Sequence, residues 1–167
     1  MPTINGRVCV ANGKPVDKVF SNGKQVYGRN LLTGTSVGLK TKQLTNWYNV
    51  GQQATNGNFK IKVVNGQKYT YRAWLDNTNG PANAFVDVRF LPTADGAKDF
   101  DIANGVPIKK GETGYSTSVF TPLEDGYIKL TPFSYAAPVT ALAGWKEEKL
   151  EKFNVATPWT PAPEDVM

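Results

Sequence analysis

There is no histidine in this chain of 167 residues, and only one cysteine, Cys9. The first absence excludes Ser-His-Asp and Cys-His catalysis, the usual zinc ligand sets and the commonest general base near neutral pH. The second excludes an intramolecular disulfide. Cys9 has no acid–base partner near it in sequence and reads as an inert thiol. No apolar run approaches the roughly 18 residues of a helical membrane span, and the N-terminus carries no signal-peptide core. The expectation is no membrane insertion and, for work outside a cell, exit by a route other than a cleaved leader. Acidic residues are scarce in one portion only. Residues 1–72 hold eleven Lys and Arg against the single acid Asp17, a local net of +10, whereas residues 73–167 hold eight basic and thirteen acidic residues, a net of −5. Such asymmetry suits a polyanionic partner, or two portions that face each other in the fold or assembly.

What is abundant is turn chemistry. Asn-Gly occurs seven times, at Asn5, Asn12, Asn22, Asn56, Asn65, Asn79 and Asn104. This dipeptide suits the type I′ turn, in which both central residues take positive φ. Between the turns lie period-two or mostly apolar runs: 16–20 with 25–27, then 59–63, 69–75, 85–91, 116–120 and 127–130. Short strands at this spacing predict an all-β sandwich or barrel. Residues 1–29 read as a small N-terminal β-ribbon with too little apolar mass for its own core, and residues 30–167 as the main domain. One segment, Trp145 to Phe153, is rich in helix formers and reads locally as a short helix. The stretch Ala156 to Asp165 holds Pro158, Pro161 and Pro163, which exclude a helix interior or central strand. It reads as an extended strap, with Trp159 the one large side chain available to pin it into a groove and seal the sandwich.

Alternation assigns strand faces. In 69–75 the apolar set Tyr69, Tyr71, Ala73 and Leu75 points inward, leaving Thr70, Arg72 and Trp74 outward. In 85–90, Val86, Val88 and Phe90 go in, and Phe85, Asp87 and Arg89 face out. Ile128 and Leu130 go in, with Tyr127 and Lys129 out. If these strands share one sheet, its outer face carries Trp74, Arg72, Asp87, Arg89 and Tyr127. An aromatic ring offers a flat apolar surface to a sugar ring, and Asp and Arg offer planar paired hydrogen-bonding groups to its hydroxyls. The competing reading is a covered sheet face with Asp87 paired to an arginine across the strands. Trp47-Tyr48, in a polar region, is either one wall of a groove or a core plug. Asp95, Asp99 and Asp101 lie near Gly96; oxygen-rich loops hold calcium, but no EF-hand spacing is present, and a structural calcium stays unassigned.

Two segments carry a family resemblance: Val19-Phe-Ser-Asn-Gly-Lys-Gln-Val-Tyr-Gly-Arg-Asn-Leu-Leu-Thr-Gly-Thr35 in front, and Lys149-Leu-Glu-Lys152 with Ala156-Thr-Pro-Trp-Thr-Pro-Ala-Pro-Glu-Asp165 behind. Together they resemble the jelly-roll carbohydrate-binding modules in tail-tip and baseplate proteins, such as evolved distal tail proteins, of phages infecting Gram-positive, lactic-acid-type bacteria. Gly66-Gln-Lys-Tyr-Thr-Tyr-Arg-Ala-Trp74 resembles the strand in which such modules carry a Gly-x-x-Tyr-Thr pattern. The family has a glycine after Lys-Leu-Glu-Lys, where this chain has Phe153. The resemblance implies a jelly-roll sandwich on the virion tail tip, acting at the host surface. Its implied partners are host cell-envelope polysaccharide and other tail or baseplate proteins, with no cofactor.

Three other functions fit parts of the chain. A glycan hydrolase needs two carboxylates about 5–10 Å apart across the scissile bond, and the assigned outward positions supply one, Asp87. A structural spacer or oligomerisation module of the tail tip would use the basic ribbon for docking. A single-strand nucleic acid binder fits the basic portion and its aromatics, but the acidic portion argues against it.

Overall fold

The structure is a computed structural model that describes residues 8–51 and 61–166. Asn5, Asn56 and the start of the expected strand at 59–60 lie outside the described residues. The chain is all-β, with no α-helix among the described residues. Two small ribbons lead: β1 (Val10–Ala11) with β2 (Lys14–Pro15), and β3 (Lys18–Ser21) with β4 (Lys24–Gly28). Both turn on the expected dipeptide. Asn12 and Gly13 have φ of 51° and 73°, Asn22 and Gly23 of 50° and 73°, the pair of left-handed residues that a type I′ turn requires.

The main body is one curled antiparallel sheet of β5 (Lys40–Asn49), β6 (Ile61–Val63), β7 (Tyr69–Asp76), β8 (Ala84–Leu91), β9 (Phe100–Asn104), β10 (Thr113–Phe120) and β11 (Gly126–Lys152). β11 organises it. Its first part pairs with β6 and with β8, from Tyr127 opposite Leu91 to Tyr135 opposite Ala84. Its last part pairs with β7, from Gly144 opposite Asp76 to Lys152 opposite Tyr69, while β5 follows the other edge. The register slips between Thr131 and Ser134, Ser134 and Val139, Val139 and Ala141, and Lys146 and Lys149. Bulges bend a strand and let it pass from one layer to another. Pro132 and Pro138 sit within two of these irregularities, where a missing N–H interrupts no ladder bond. The sheet thus folds into two wings, β6–β8–β9 on one part of β11 and β7–β10 on the other, and their inner faces meet.

The core lies between the wings. Tyr69, Tyr71, Ala73, Leu75, Val86, Val88, Phe90, Ile128 and Leu130 are all buried, as alternation predicts, and Phe133, Trp145 and Leu150 join them. Tyr69 stacks on Phe120 at 5.6 Å between ring centroids. Residues 145–152 are strand rather than helix. Propensity yields because β7 takes up one edge of this segment on both sides of a bulge at Glu147 and Glu148, and β5 the other at Trp145.

The strap and the leading ribbon meet over the C-terminal part of β11. Thr157 accepts from the Gly28 backbone N–H at 3.0 Å and from Lys149 Nζ at 2.7 Å, and its own hydroxyl and amide donate to Glu151, each at 2.8 Å. The Asn30 amide donates to Thr35, Glu148 and Thr160, and its carbonyl accepts from Leu32 and Leu150. A short 3₁₀ turn, Pro163–Asp165, ends the strap; Asp165 accepts from Gly34 N–H, and Glu164 pairs with Arg29. Arg29–Glu164 and Lys40–Glu148 join the basic and acidic portions of the chain, so part of the charge asymmetry is met internally. Cys9 is buried, and desolvation pushes its thiol pKa up, which suits an unreactive role.

Candidate functional site

The bend in β11 opens a groove of about 470 Å³ on the outer face of the β8–β9 wing. Its floor is β8, whose outward residues Phe85, Asp87 and Arg89 follow one another at period two, with Asp101 and Asn104 of β9 alongside. Its wall is the end of β5. There β5 has two residues, Thr45 and Asn46, between Leu44 and Trp47, where β11 has one, Thr140, between Ala141 and Val139. The extra residue sits beside Asn46, whose φ of 53° is left-handed and whose N–H is satisfied by Thr140 Oγ1 at 3.1 Å. A bulge re-aims the side chains that follow it. Trp47 and Tyr48 are consecutive yet both are exposed, at 59% and 48%, their rings edge to face with centroids 6.3 Å apart.

The floor is charged and ordered. Arg89 donates to Asp99 at 2.9 Å, and Asp99 also receives Lys129 Nζ at 3.0 Å. Hydrogen bonds from these two cations hold the Asp99 carboxyl below its usual range. Asp87 is in the opposite condition. It is 7% exposed, its Oδ1 has no hydrogen-bond partner among the described residues, and it lies against the Asp101 carboxylate. Burial first, then the hydrogen bond and charge shared with Asp101, push its pKa up to about 7 against the pull of Arg89. Near neutral pH Asp87 therefore exists in both forms, able to donate to or accept from a hydroxyl.

The structure brings Trp47, Asp87 and Arg89 together in this groove. Tyr127 faces Leu91, about 7 Å further along the strand than Arg89, and does not line it. Arg72 and Trp74 are not on this face. β7 pairs with the last part of β11 and β8 with the first, so the bend between them carries Arg72 and Trp74 to the other wing. There Lys146 Nζ sits over the Trp74 ring at 4.7 Å and the Arg72 guanidinium over Tyr115 at 4.3 Å. The expectation of a single shared face is corrected by this topology. Of the acidic group near Gly96, Asp95 caps its own turn through Thr93 and Ala97, Asp101 lines the groove, and Asp99 holds Arg89 from beside it. No group of three or more acidic, histidine or cysteine side chains suited to a metal occurs among the described residues. Phe85 was assignable as outward from alternation. Asp101 and Asn104 were not, because their place beside Asp87 depends on the register of β8 with β9.

Trp159 also departs from expectation. It is half-buried rather than sunk into the core, its indole N–H donating to Thr35 Oγ1 at 3.1 Å; Thr157, Thr160, Ala162 and Pro163 are the strap residues that are buried.

No family model matches the chain, and no curated protein does. Among solved structures, the CBM22-1–GH10 modules of Clostridium thermocellum endo-1,4-β-D-xylanase 10B, crystallised with xylohexaose, align with 73% of this chain at 12% identity and a TM-score of 0.41. The chain spans about a quarter, 26%, of the length of that protein chain.

Proposed function

We propose that this chain is a non-catalytic carbohydrate-binding module of a phage tail tip or baseplate, which holds host cell-wall saccharide and aids adsorption. The module is residues 30–167, and the ribbon up to residue 29 is an appendage docked on the strap. One observation carries the sugar reading: an open groove whose wall presents the adjacent exposed rings of Trp47 and Tyr48 above an ordered Asp87–Arg89 floor. Soluble proteins rarely leave such rings to water beside fixed polar groups without a ligand to cover them. Stacking by Trp47 and hydrogen bonds from Asp87 and Arg89 suit a pyranose with vicinal hydroxyls. The phage setting is supported by the paired end segments, 19–35 and 149–165, and by nothing in the groove itself.

Catalysis is disfavoured by the same carboxylates that suggest binding. A glycosidase holds its two acids on either side of the scissile bond, about 5 Å or more apart. Asp87 and Asp101 are in contact, with no room for a glycosidic oxygen between them. The test is binding of the purified chain to cell walls of lactic-acid bacteria and to a glycan array. Trp47→Ala should weaken binding by about tenfold or more, with an unchanged thermal melt, since an aromatic stack and its buried area are lost. Wall binding that survives Trp47→Ala undiminished would remove the groove from the function.

A further inference from the structure

On the opposite wing a second cavity, of about 430 Å³, lies between the strap and the outer face of β7. It is lined by Val37, Arg72, Tyr115, Glu147, Pro158 and Trp159, which come from five separate segments of the chain. Each segment is fixed independently. Trp159 is held by its bond to Thr35, and Pro158 by its carbonyl, which accepts from Lys149 Nζ at 2.8 Å. Glu147 occupies the β11 bulge in a left-handed conformation, φ 56°, with its N–H on Ser36 O at 2.8 Å and its carboxylate receiving the Tyr115 hydroxyl. A glutamate held at positive φ is backbone strain, and such strain concentrates where side-chain aim matters.

The distinguishing group is Arg72. Arg29 is paired with Asp17 and Glu164, and Arg89 with Asp99. The Arg72 side chain makes no ion pair and no hydrogen bond among the described residues, and its buried Nε, like that of Arg29, is unpartnered there. Its guanidinium stacks on Tyr115 at 4.3 Å, a contact that uses the face of the group and leaves the Nη donors uncommitted among the described residues, although its charge is also felt by the buried Glu151 and Lys149. Lys146, over Trp74, adds a second cation near by. The lining itself carries one cation, Arg72, and one anion, Glu147; Glu147 is engaged by Tyr115 and lies 3.6 Å from Lys146, outside the lining, so the Arg72 charge is left over from that pairing.

We propose that this cavity is a second saccharide site, selective for a sugar that carries an oxyanion, either a carboxylate or a phosphate ester, with Arg72 receiving the anion and Trp159 and Tyr115 holding the ring. It rests on the reading of the chain as a carbohydrate-binding module but uses none of the groove residues. A guanidinium fork fits both oxyanions in the bidentate manner. The aromatic walls and a volume in the range of small-molecule sites fit a ring better than a bare ion.

The experiment is an NMR titration of the isotope-labelled chain with glucuronic acid, glucose 6-phosphate, glucose and inorganic phosphate. The expected result is that both anionic sugars shift the Trp159 indole N–H and the amides of Val37 and Glu147. Glucose and inorganic phosphate should bind there about tenfold more weakly or not at all, because each lacks half of the recognition. Arg72→Gln should lower the anionic-sugar affinity by about tenfold or more with the melt unchanged, since a charge-assisted pair is lost. Trp159→Phe keeps the ring and the strap while removing the indole donor, and should retain binding. The proposal is overturned if the anionic sugars shift only the Trp47 groove or nothing, if Arg72→Gln binds as before, or if inorganic phosphate matches the sugars. Trp47→Ala separates the two sites. It should leave this titration intact, so loss of neutral-sugar binding in that variant with retained shifts at Trp159 sets the two readings apart.

Discussion

At the scale of the residue, Asp87 is a carboxyl whose chemistry the fold changes strongly. Its pKa stands at about 7 in the folded chain against the ordinary 3.8, chiefly through burial. Between those values the native state holds a proton that the unfolded chain has released, so stability falls as pH rises from about 4 to about 7 and stays low above it. The whole displacement corresponds to roughly 4 kcal/mol, the upper limit of the effect. Asp87→Asn should therefore be more stable than the parent at about pH 8 and lose most of the advantage at about pH 4. Urea melts of both proteins across that window check it; a parent whose stability rises from acid to neutral pH relative to Asp87→Asn would contradict it. Phe153 tells a different residue-scale story. Phe153 adopts φ of 78°, the left-handed conformation that glycine takes without cost. The turn holds with a side chain there because Phe153 N–H is tied to Lys68 O at 2.7 Å, its carbonyl accepts from Thr70, and its ring lies under Lys18 Nζ at 3.8 Å.

At the scale of the element, alternation predicts the inward faces of β7, β8 and the start of β11 residue by residue, since period two is a local property of the strand. What alternation cannot carry is which strand lies beside which. The placement of Arg72 and Trp74 away from Asp87 follows from the bulges of β11, and a bulge leaves little local signature beyond Pro132 and Pro138. The segment 145–152 misleads for the same reason, because its pairing with β7 is remote in sequence. The strap is legible as extended but not in how it is held. Its anchor is the buried Lys149–Glu151–Thr157 cluster, which meets the ribbon at Gly28. A Cβ on Gly28 would overlap the Glu151 carboxylate, and Glu151 is buried and already committed to Thr157. Gly28→Ala should cost about 2 kcal/mol, in the range of overpacked buried sites, and loosen the strap. A lowered melting temperature with faster proteolysis between residues 154 and 160 is the expected reading. An unchanged melt would mean that ribbon and strap separate freely.

At the scale of the whole molecule, the two cavities lie on outer faces of opposite wings, with the packed core between them. Sheet layers pack about 10 Å apart, and side chains widen the separation, so one short saccharide cannot occupy both sites. A long or branched wall polymer can, and the second engagement then benefits from the effective concentration set by the first. Short ligands and polymer should thus respond differently to the same substitutions. On monosaccharides and short oligosaccharides, Trp47→Ala and Arg72→Gln should each affect only its own ligand. On an intact anionic wall polymer each single variant should lose affinity by about tenfold or more, because bivalency is lost with either site. Salt adds a second signature. On the proposed reading, the Arg72 contribution would be a charge–charge attraction at a partly exposed site, screened as ionic strength rises, whereas a Trp47 stack would not be. Raising salt from about 0.05 M to about 0.5 M should therefore bring the parent close to the Arg72→Gln variant on the polymer and leave that variant almost unmoved. Equal salt slopes for the parent and Arg72→Gln would show that the second wing makes no electrostatic contribution to wall attachment.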